Sequence, residues 1–132
     1  MKANELMIGD WFQTIYPTGK VEFRKVEGVM QNHIVCNNGV TNAIEPIPLT
    51  VEILEKNGLK PFKIDKLTEQ ATAKWWAKGG DYYVKQYNFK HNDFLPTYSF
   101  GCHPHTLIER LRYVHELQHA LKLCGIDKEI VL

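Results

Sequence analysis

Turn residues divide the first 46 residues into short segments and leave little room for helix. Gly9 precedes the segment WFQTIY, and residues 17–19 (Pro-Thr-Gly) follow it. Residues 37–39 (Asn-Asn-Gly) separate two apolar runs, and Asn-Gly favours the positive φ angles of a tight hairpin turn. Apolar and charged residues alternate in KVEFRKV, as is typical of a half-buried strand. We therefore predict about four antiparallel strands in residues 1–46, forming a curled, SH3-like sheet.

A short helix is predicted in the segment 50–58. Thr50 is a suitable N-cap, and Glu52 favours the positive N-terminal end of a helix. Gly58 can end the helix in a left-handed conformation. These signals predict a helix at 51–57.

The segment 60–101 is predicted to contain mainly strands, at 74–78, 82–89 and 95–100. Gly79-Gly80 separates two aromatic-rich runs, KWWAK and DYYVKQYNF, and this pattern favours a turn between strands. Residues 66–78 also carry helix signals, so the sequence leaves helix and strand open there. Aromatic residues at alternate strand positions either fill a core or form a platform on which bases or sugars stack.

The strongest helix signal lies in the segment 106–124. Thr106 and Glu109 match a capping box, which predicts that a helix begins at Leu107 and ends at Gly125. One side of this helix carries an apolar stripe with Gln118 inside it, and we expect that side to face the core. The apolar members of the stripe are Leu107, Leu111, Val114, Leu117 and Leu121.

Residues 115–119 read His-Glu-Leu-Gln-His, which matches the H-E-x-x-H signature of zinc hydrolases. In that interpretation His115 and His119 bind zinc, and Glu116 is the general base. The extended signature requires glycine and then histidine further along the helix, where this chain has Lys122 and Gly125. The alternative, which we favour, is that His115 packs beside the core stripe and that Glu116 faces solvent.

A second group of potential metal ligands lies upstream, at Cys102, His103 and His105. It lacks the paired spacing of a zinc knuckle, and the predicted helix would hold His105 about 15 Å from His115. We therefore predict no cofactor, with zinc at the C-terminal motif as the alternative.

Composition indicates one soluble domain, 1–132. The chain has 16 Lys and Arg against 15 Asp and Glu, so no basic stripe marks a nucleic-acid partner. No apolar run approaches the roughly 20 residues that span a bilayer, and no secretion signal precedes the first turn. The cysteines Cys36, Cys102 and Cys124 show no paired spacing, so we expect free thiols and a cytoplasmic protein without a membrane partner.

Three phrases, ANELMIGDW, IEPIPLTVEILEKNGLK and RYVHELQHALKLCGIDKEIVL, resemble a family of short uncharacterised proteins from Bacteroides-type gut bacteria and their phages or mobile elements. The resemblance covers about half of the chain. In that family the last phrase typically reads Tyr-Val-His-x-Leu-Gln-Asn, so His119 stands where the family has an amide. The resemblance therefore implies no shared metal site, and it implies no known activity.

The resulting expectation is an α+β protein in which a small antiparallel β-rich body carries a short central helix and a long C-terminal helix packed on it. We expect a non-enzymatic accessory or interaction module, associated with phage or mobile elements, that binds a protein partner or a second copy of itself. The expected interaction residues are Tyr113, His115, Gln118, Trp75 and Trp76. A nucleic-acid-binding β-barrel using Lys20, Arg24 and Lys25 is the alternative, and a zinc hydrolase is the other alternative.

Overall fold

The computed structural model confirms the α+β class, with antiparallel sheets as its main component. It describes residues 1–36, 39–77, 82–89, 97–102 and 106–132. The prediction of one domain is not decided by these residues, which form two compact units that are described separately. The first unit contains Met1–Pro48 and Tyr113–His115, and the second contains Leu49–Arg112 and Glu116–Leu132.

The first unit is built from short antiparallel strands, as predicted. A 3-10 helix at Ala3–Glu5 precedes the hairpin of β1 (Trp11–Ile15) and β2 (Val21–Lys25). A three-stranded sheet follows, formed by β3 (Gly28–Val29), β4 (Ile34–Cys36) and β5 (Gly39–Thr41). Asn37 and Asn38 of the predicted turn lie outside the described residues. An SH3-like arrangement of these strands stays a prediction.

The core of this unit consists of side chains that are at most 6% exposed. Its members are Ala3, Leu6, Phe12, Val26, Ile34, Cys36 and Ile44. Cys36 carries a free thiol, as expected.

The second unit contains a short helix and a five-stranded antiparallel sheet. Helix α1 (Val51–Lys56) begins at Thr50, whose Oγ1 accepts a hydrogen bond from the backbone N–H of Ile53 at 3.3 Å. Beyond its end Gly58 has φ +84°, so the predicted cap and terminator are both confirmed. The sheet contains β6 (Lys60–Thr68), β7 (Ala71–Ala77), β8 (Tyr82–Phe89), β9 (Thr97–Cys102) and β10 (Thr106–Leu111), in the order β10-β9-β8-β7-β6.

The choice between helix and strand before Gly79 is resolved in favour of strand. β7 pairs along its whole length with β6 on one side and β8 on the other. The predicted Gly79-Gly80 turn lies outside the described residues.

The predicted long C-terminal helix is wrong in its first half. Residues Thr106–Leu111 form strand β10, and helix α2 covers only the ten residues Val114–Leu123. β10 completes the backbone hydrogen bonds of the preceding strand β9, and this pairing outweighs the capping pattern. Leu107 of the predicted stripe is accordingly 57% exposed, whereas Leu117 is 2% exposed. Among the described residues, no helix combines the length and apolarity that a membrane span requires.

One face of the five-stranded sheet is the core face of this unit. Trp76, Val84 and Phe100 lie side by side on it and are at most 1% exposed. Tyr98 shares this face, and burial, reinforced by Glu52 of α1, raises the pKa of its hydroxyl to about 12.

The prediction of three free thiols is wrong for two of them, because Cys102 and Cys124 form a disulfide. Cys102 ends β9 on the core face, and Cys124 directly follows α2. Their Cα atoms lie 6.6 Å apart although 22 residues separate them in sequence. This distance suits a disulfide, but it results from the tertiary structure and leaves no signature in the cysteine spacing. A cytoplasmic location stays a prediction.

Candidate functional site: an aromatic and lysine face of the sheet

The opposite face of the five-stranded sheet carries aromatic and lysine side chains that are partly or largely exposed. Successive strand residues point to opposite faces, so Trp75 lies opposite its buried neighbour Trp76. Lys85 is the cross-strand partner of Trp75. We name this surface the aromatic–lysine face. Its members are Phe62, Lys63, Trp75, Tyr83, Lys85 and Tyr87.

The rings of this face form a continuous group around Trp75. The centroid of Trp75 lies 5.0 Å from that of Tyr83 at an interplanar angle of 44°, and 6.3 Å from that of Phe62. Lys85 Nζ lies 4.6 Å from the Trp75 centroid and 5.0 Å from the Tyr87 centroid. Lys63 Nζ lies 5.5 Å from the Trp75 centroid. Three strands therefore present ring surfaces and positive charges within one patch.

Asp65 holds the centre of this patch in place. The indole Nε1–H of Trp75 donates a hydrogen bond to Asp65 Oδ2 at 3.0 Å. The same carboxylate oxygen lies 3.5 Å from Lys63 Nζ. One carboxylate thus orients both the ring and a neighbouring cation, which lowers the conformational entropy that a ligand would have to remove on binding.

Gly101 forms the floor beneath Tyr83. The two residues are cross-strand partners, and a Cβ atom added at Gly101 would collide with the phenol ring of Tyr83. Glycine is therefore required at this position for the ring to lie across β9. The position of Tyr83 next to Trp75 depends on this missing side chain.

The strands that carry the patch have an excess of positive charge. Among the described residues of β6, β7, β8 and the β6–β7 turn, five lysines accompany two acids. The lysines are Lys63 and Lys85 of the aromatic–lysine face, Lys60, Lys66, and Lys74, which lies over the ring of Trp76 on the other face; the acids are Asp65 and Glu69. The even balance of the whole chain conceals this local excess. A surface of this kind can stack on flat rings and attract anions at the same time.

The His-Glu-Leu-Gln-His motif has a structural role in the described part of the chain. Glu116 Oε1 accepts a hydrogen bond from the backbone N–H of Arg112 at 3.1 Å and lies 4.0 Å from its Nε. Arg112 lies two residues before α2, so this bond closes the turn that leads into the helix. The Glu116 side chain remains 28% exposed.

The interaction residues predicted around this motif are largely covered. His115 and Gln118 are each 7% exposed, and the His115 ring stacks on Tyr113 with centroids 5.8 Å apart. His119 is half-buried. No group of three potential ligands is present in the described segments, from which His103 and His105 are missing. Zinc binding stays a prediction, which metal analysis of the protein and of His115→Ala would test.

The predicted tryptophan pair and the predicted nucleic-acid contact Arg24 lie in different parts of the structure. Trp76 is 1% exposed in the core, so only Trp75 of the tryptophan pair reaches the aromatic–lysine face. In the first unit Arg24 donates hydrogen bonds to the Tyr16 hydroxyl at 2.7 Å and to Glu22 at 3.3 Å. These bonds engage the guanidinium that, in the alternative prediction, contacts a nucleic-acid backbone.

Hydrogen bonds to Tyr16 and Arg24 also lower the pKa of the Glu22 carboxyl. Glu22 therefore keeps its charge to lower pH than usual. This carboxylate partly neutralises the positive charge of the N-terminal hairpin.

No protein-family model, curated protein or solved structure matches the chain. The resemblance to Bacteroides-type proteins stays a prediction. The function must therefore be argued from the geometry of the chain.

Sequence reasoning identified Trp75 but missed Lys63, Lys85 and Asp65. A signal was present, because Tyr83, Lys85 and Tyr87 occupy alternate positions of β8 and therefore share a face. Assigning Trp75 to the same face requires the pairing of Trp75 with Lys85, which sequence alone does not provide.

Proposed function

We propose that this protein is a non-enzymatic binding module whose aromatic–lysine face binds single-stranded nucleic acid. The observation that carries the proposal is the position of Lys85 between the rings of Trp75 and Tyr87 on an exposed sheet face. Bases stack on such rings irrespective of sequence, and lysines attract the phosphates between them.

The geometry favours single strands over duplexes. Bases in a duplex are stacked on one another and hide their ring faces, whereas bases in a single strand expose them. The rings of Phe62, Trp75 and Tyr83 lie on three adjacent strands, which are spaced about 4.8 Å apart. Neighbouring rings at this spacing can accept successive bases of an extended strand.

The salt dependence of binding tests the electrostatic part of this proposal. Fluorescence anisotropy with labelled oligo-dT should show affinity that falls steeply as salt rises, because each neutralised phosphate releases counterions. Lys85→Gln should reduce the slope of log affinity against log salt by about 1. Lys25→Gln is the matched control, because Lys25 Nζ lies 5.5 Å from the ring of Trp11 in the first unit.

The control variant should leave the slope unchanged. Oligo-dT that does not bind at low salt, or equal slopes for wild type and Lys85→Gln, would contradict the proposal. A duplex that binds more tightly than the single strand would contradict the preference for single strands.

Self-association is a second candidate function, and the edge strand β6 favours it. Within the described residues β6 pairs with β7 alone, and its Phe62 and Ile64 side chains are 60% and 69% exposed. An exposed edge can pair with the same edge of a second copy. Light scattering should then show a dimer that Ile64→Lys dissociates, and a monomer at every concentration would exclude this mode.

A further inference from the structure

A depression of about 300 Å³ adjoins the aromatic–lysine face. Its lining residues are Tyr87, Thr97, Ser99, Glu109 and Arg110. Tyr87 pairs with Thr97, and Lys85 pairs with Ser99, so these side chains share one face of the sheet. A strand that lies along the face therefore reaches this depression at Tyr87.

A β-bulge supplies the two charged residues of the depression. The pairing of β10 with β9 shifts between Ile108 and Leu111, which leaves Glu109 and Arg110 outside the regular register. Arg110 has φ +61° and is the one residue other than glycine with a positive φ in the described part of the chain. This conformation costs about 1 kcal/mol or more, and such outliers concentrate at binding sites.

Ser99 provides a third polar group at this site. Its side chain is 2% exposed, and its hydroxyl has no hydrogen-bond partner among the residues that the structure describes. Burying a hydroxyl without a partner is unfavourable, so a ligand that bonds to Ser99 Oγ would recover that free energy. The depression thus combines an aromatic ring, a carboxylate, a guanidinium and a hydroxyl.

We propose that this depression binds one guanine base of the single strand, an inference that rests on the proposed function. Guanine has two adjacent donors, N1–H and the exocyclic N2–H, which match the two oxygens of the Glu109 carboxylate. Adenine, cytosine and thymine each present a single donor group on the corresponding edge. Arg110 neutralises the adjacent phosphate, and the base stacks on Tyr87.

Competition between short oligonucleotides tests this assignment. The probes are an oligo-dT of about eight nucleotides and the same oligomer with one central dG or one central dA. The dG oligomer should bind about tenfold more tightly than the dA oligomer, as expected for one bidentate base contact. Glu109→Gln should remove this preference, and it should not weaken binding of oligo-dT, because it removes a negative charge beside the strand. Glu69→Gln, at the β6–β7 turn, is the matched control and should retain the preference.

Arg110→Gly separates binding from folding. Glycine adopts φ +61° without the steric cost that arginine has there, so the variant should be at least as stable as the wild type. Its affinity for the dG oligomer should nevertheless fall severalfold, because the guanidinium is gone. Stability retained together with unchanged dG affinity would overturn the role of Arg110.

The outcomes distinguish this inference from the proposed function. If oligo-dT binds but dG and dA give equal affinity, the guanine site is overturned and the aromatic–lysine face stands. If neither oligo-dT nor the dG oligomer binds, both are overturned. If Glu69→Gln removes the preference as fully as Glu109→Gln does, the site is not at the bulge.

Discussion

Trp75 and Trp76 are neighbours in sequence but belong to the two faces of one sheet. Trp76 is 1% exposed, and its indole N–H donates to Gln86 Oε1 at 3.2 Å inside the core. Trp75 is partly exposed, is oriented by Asp65 and lies beneath Lys85. One face therefore forms the core of the unit, and the other presents the partly exposed rings and lysines on which the proposed function rests.

Alanine substitution of the two tryptophans should affect stability very differently. Trp76→Ala removes a fully buried side chain and should lower the free energy of unfolding by about 4 kcal/mol. Trp75→Ala should lower it by a smaller amount, about 2 kcal/mol, because this ring is only partly buried. Urea denaturation followed by circular dichroism measures both. Equal losses would contradict the assignment of the two faces.

Reducing the disulfide should lower the stability of the protein. The bond between Cys102 and Cys124 closes a loop of about 22 residues, so its reduction should lower the free energy of unfolding by about 3 kcal/mol. Denaturation with and without reductant measures the loss. Thiol titration of the denatured protein should find one free thiol before reduction and three afterwards. Three thiols before reduction would show that the disulfide is absent.

High pH should destabilise the protein because the buried hydroxyl of Tyr98 must lose its proton. The folded protein keeps the phenol proton up to a pKa of about 12, whereas the unfolded chain loses it near the ordinary value of 10. Its contribution to stability is therefore complete below pH 10 and is lost as the pH rises to about 12, with a loss of about 2–3 kcal/mol.

Tyr98→Phe is the control for this pH dependence. The Tyr98 hydroxyl has no hydrogen-bond partner within the described segments, so the substitution should cost little stability at pH 7. Urea denaturation at pH 9 and pH 11 should show a smaller loss for the variant than for the wild type. Identical losses would show that Tyr98 does not titrate in this range.

Gly101→Ala should affect the aromatic–lysine face more than the stability of the fold. The added methyl group displaces the ring of Tyr83 from β9, so stability should fall by about 1 kcal/mol and affinity for oligo-dT by severalfold. Gly28→Ala is the control, because a Cβ added at Gly28 meets Val35 only at ordinary contact distances of 3.5 and 3.7 Å. Unchanged oligo-dT affinity in Gly101→Ala would remove Tyr83 from the binding surface.

Local patterns predicted the elements that local interactions determine. Thr50 and Gly58 gave the ends of α1, and turn residues delimited the short strands of the first unit. The same local reasoning failed for Thr106 and Glu109, whose capping pattern yields to pairing of β10 with β9. A short-range signal cannot reveal that an unpaired strand edge lies nearby.

The residues that form the candidate site are brought together by tertiary structure, which local sequence patterns do not show. Lys85 and Trp75 are cross-strand partners on β8 and β7, and Glu109 and Ser99 line one depression because of a bulge that follows no sequence rule. In the motif that dominated the sequence, residues 115–119, Glu116 bonds to the backbone just before α2, and zinc binding by the motif stays a prediction. Sequence therefore supplied the candidate aromatic residues, and strand pairing selected the ones that form a surface.

If Trp75 belongs to a binding face, its loss should affect ligand affinity more than the loss of another tryptophan that lies beside a lysine. Trp75→Ala should weaken oligo-dT binding about tenfold, as expected for the loss of one stacked base. Trp11→Ala removes the ring beside Lys25 in the first unit and should leave the affinity unchanged. Equal affinity of wild type and Trp75→Ala, with both proteins folded, would contradict the claim.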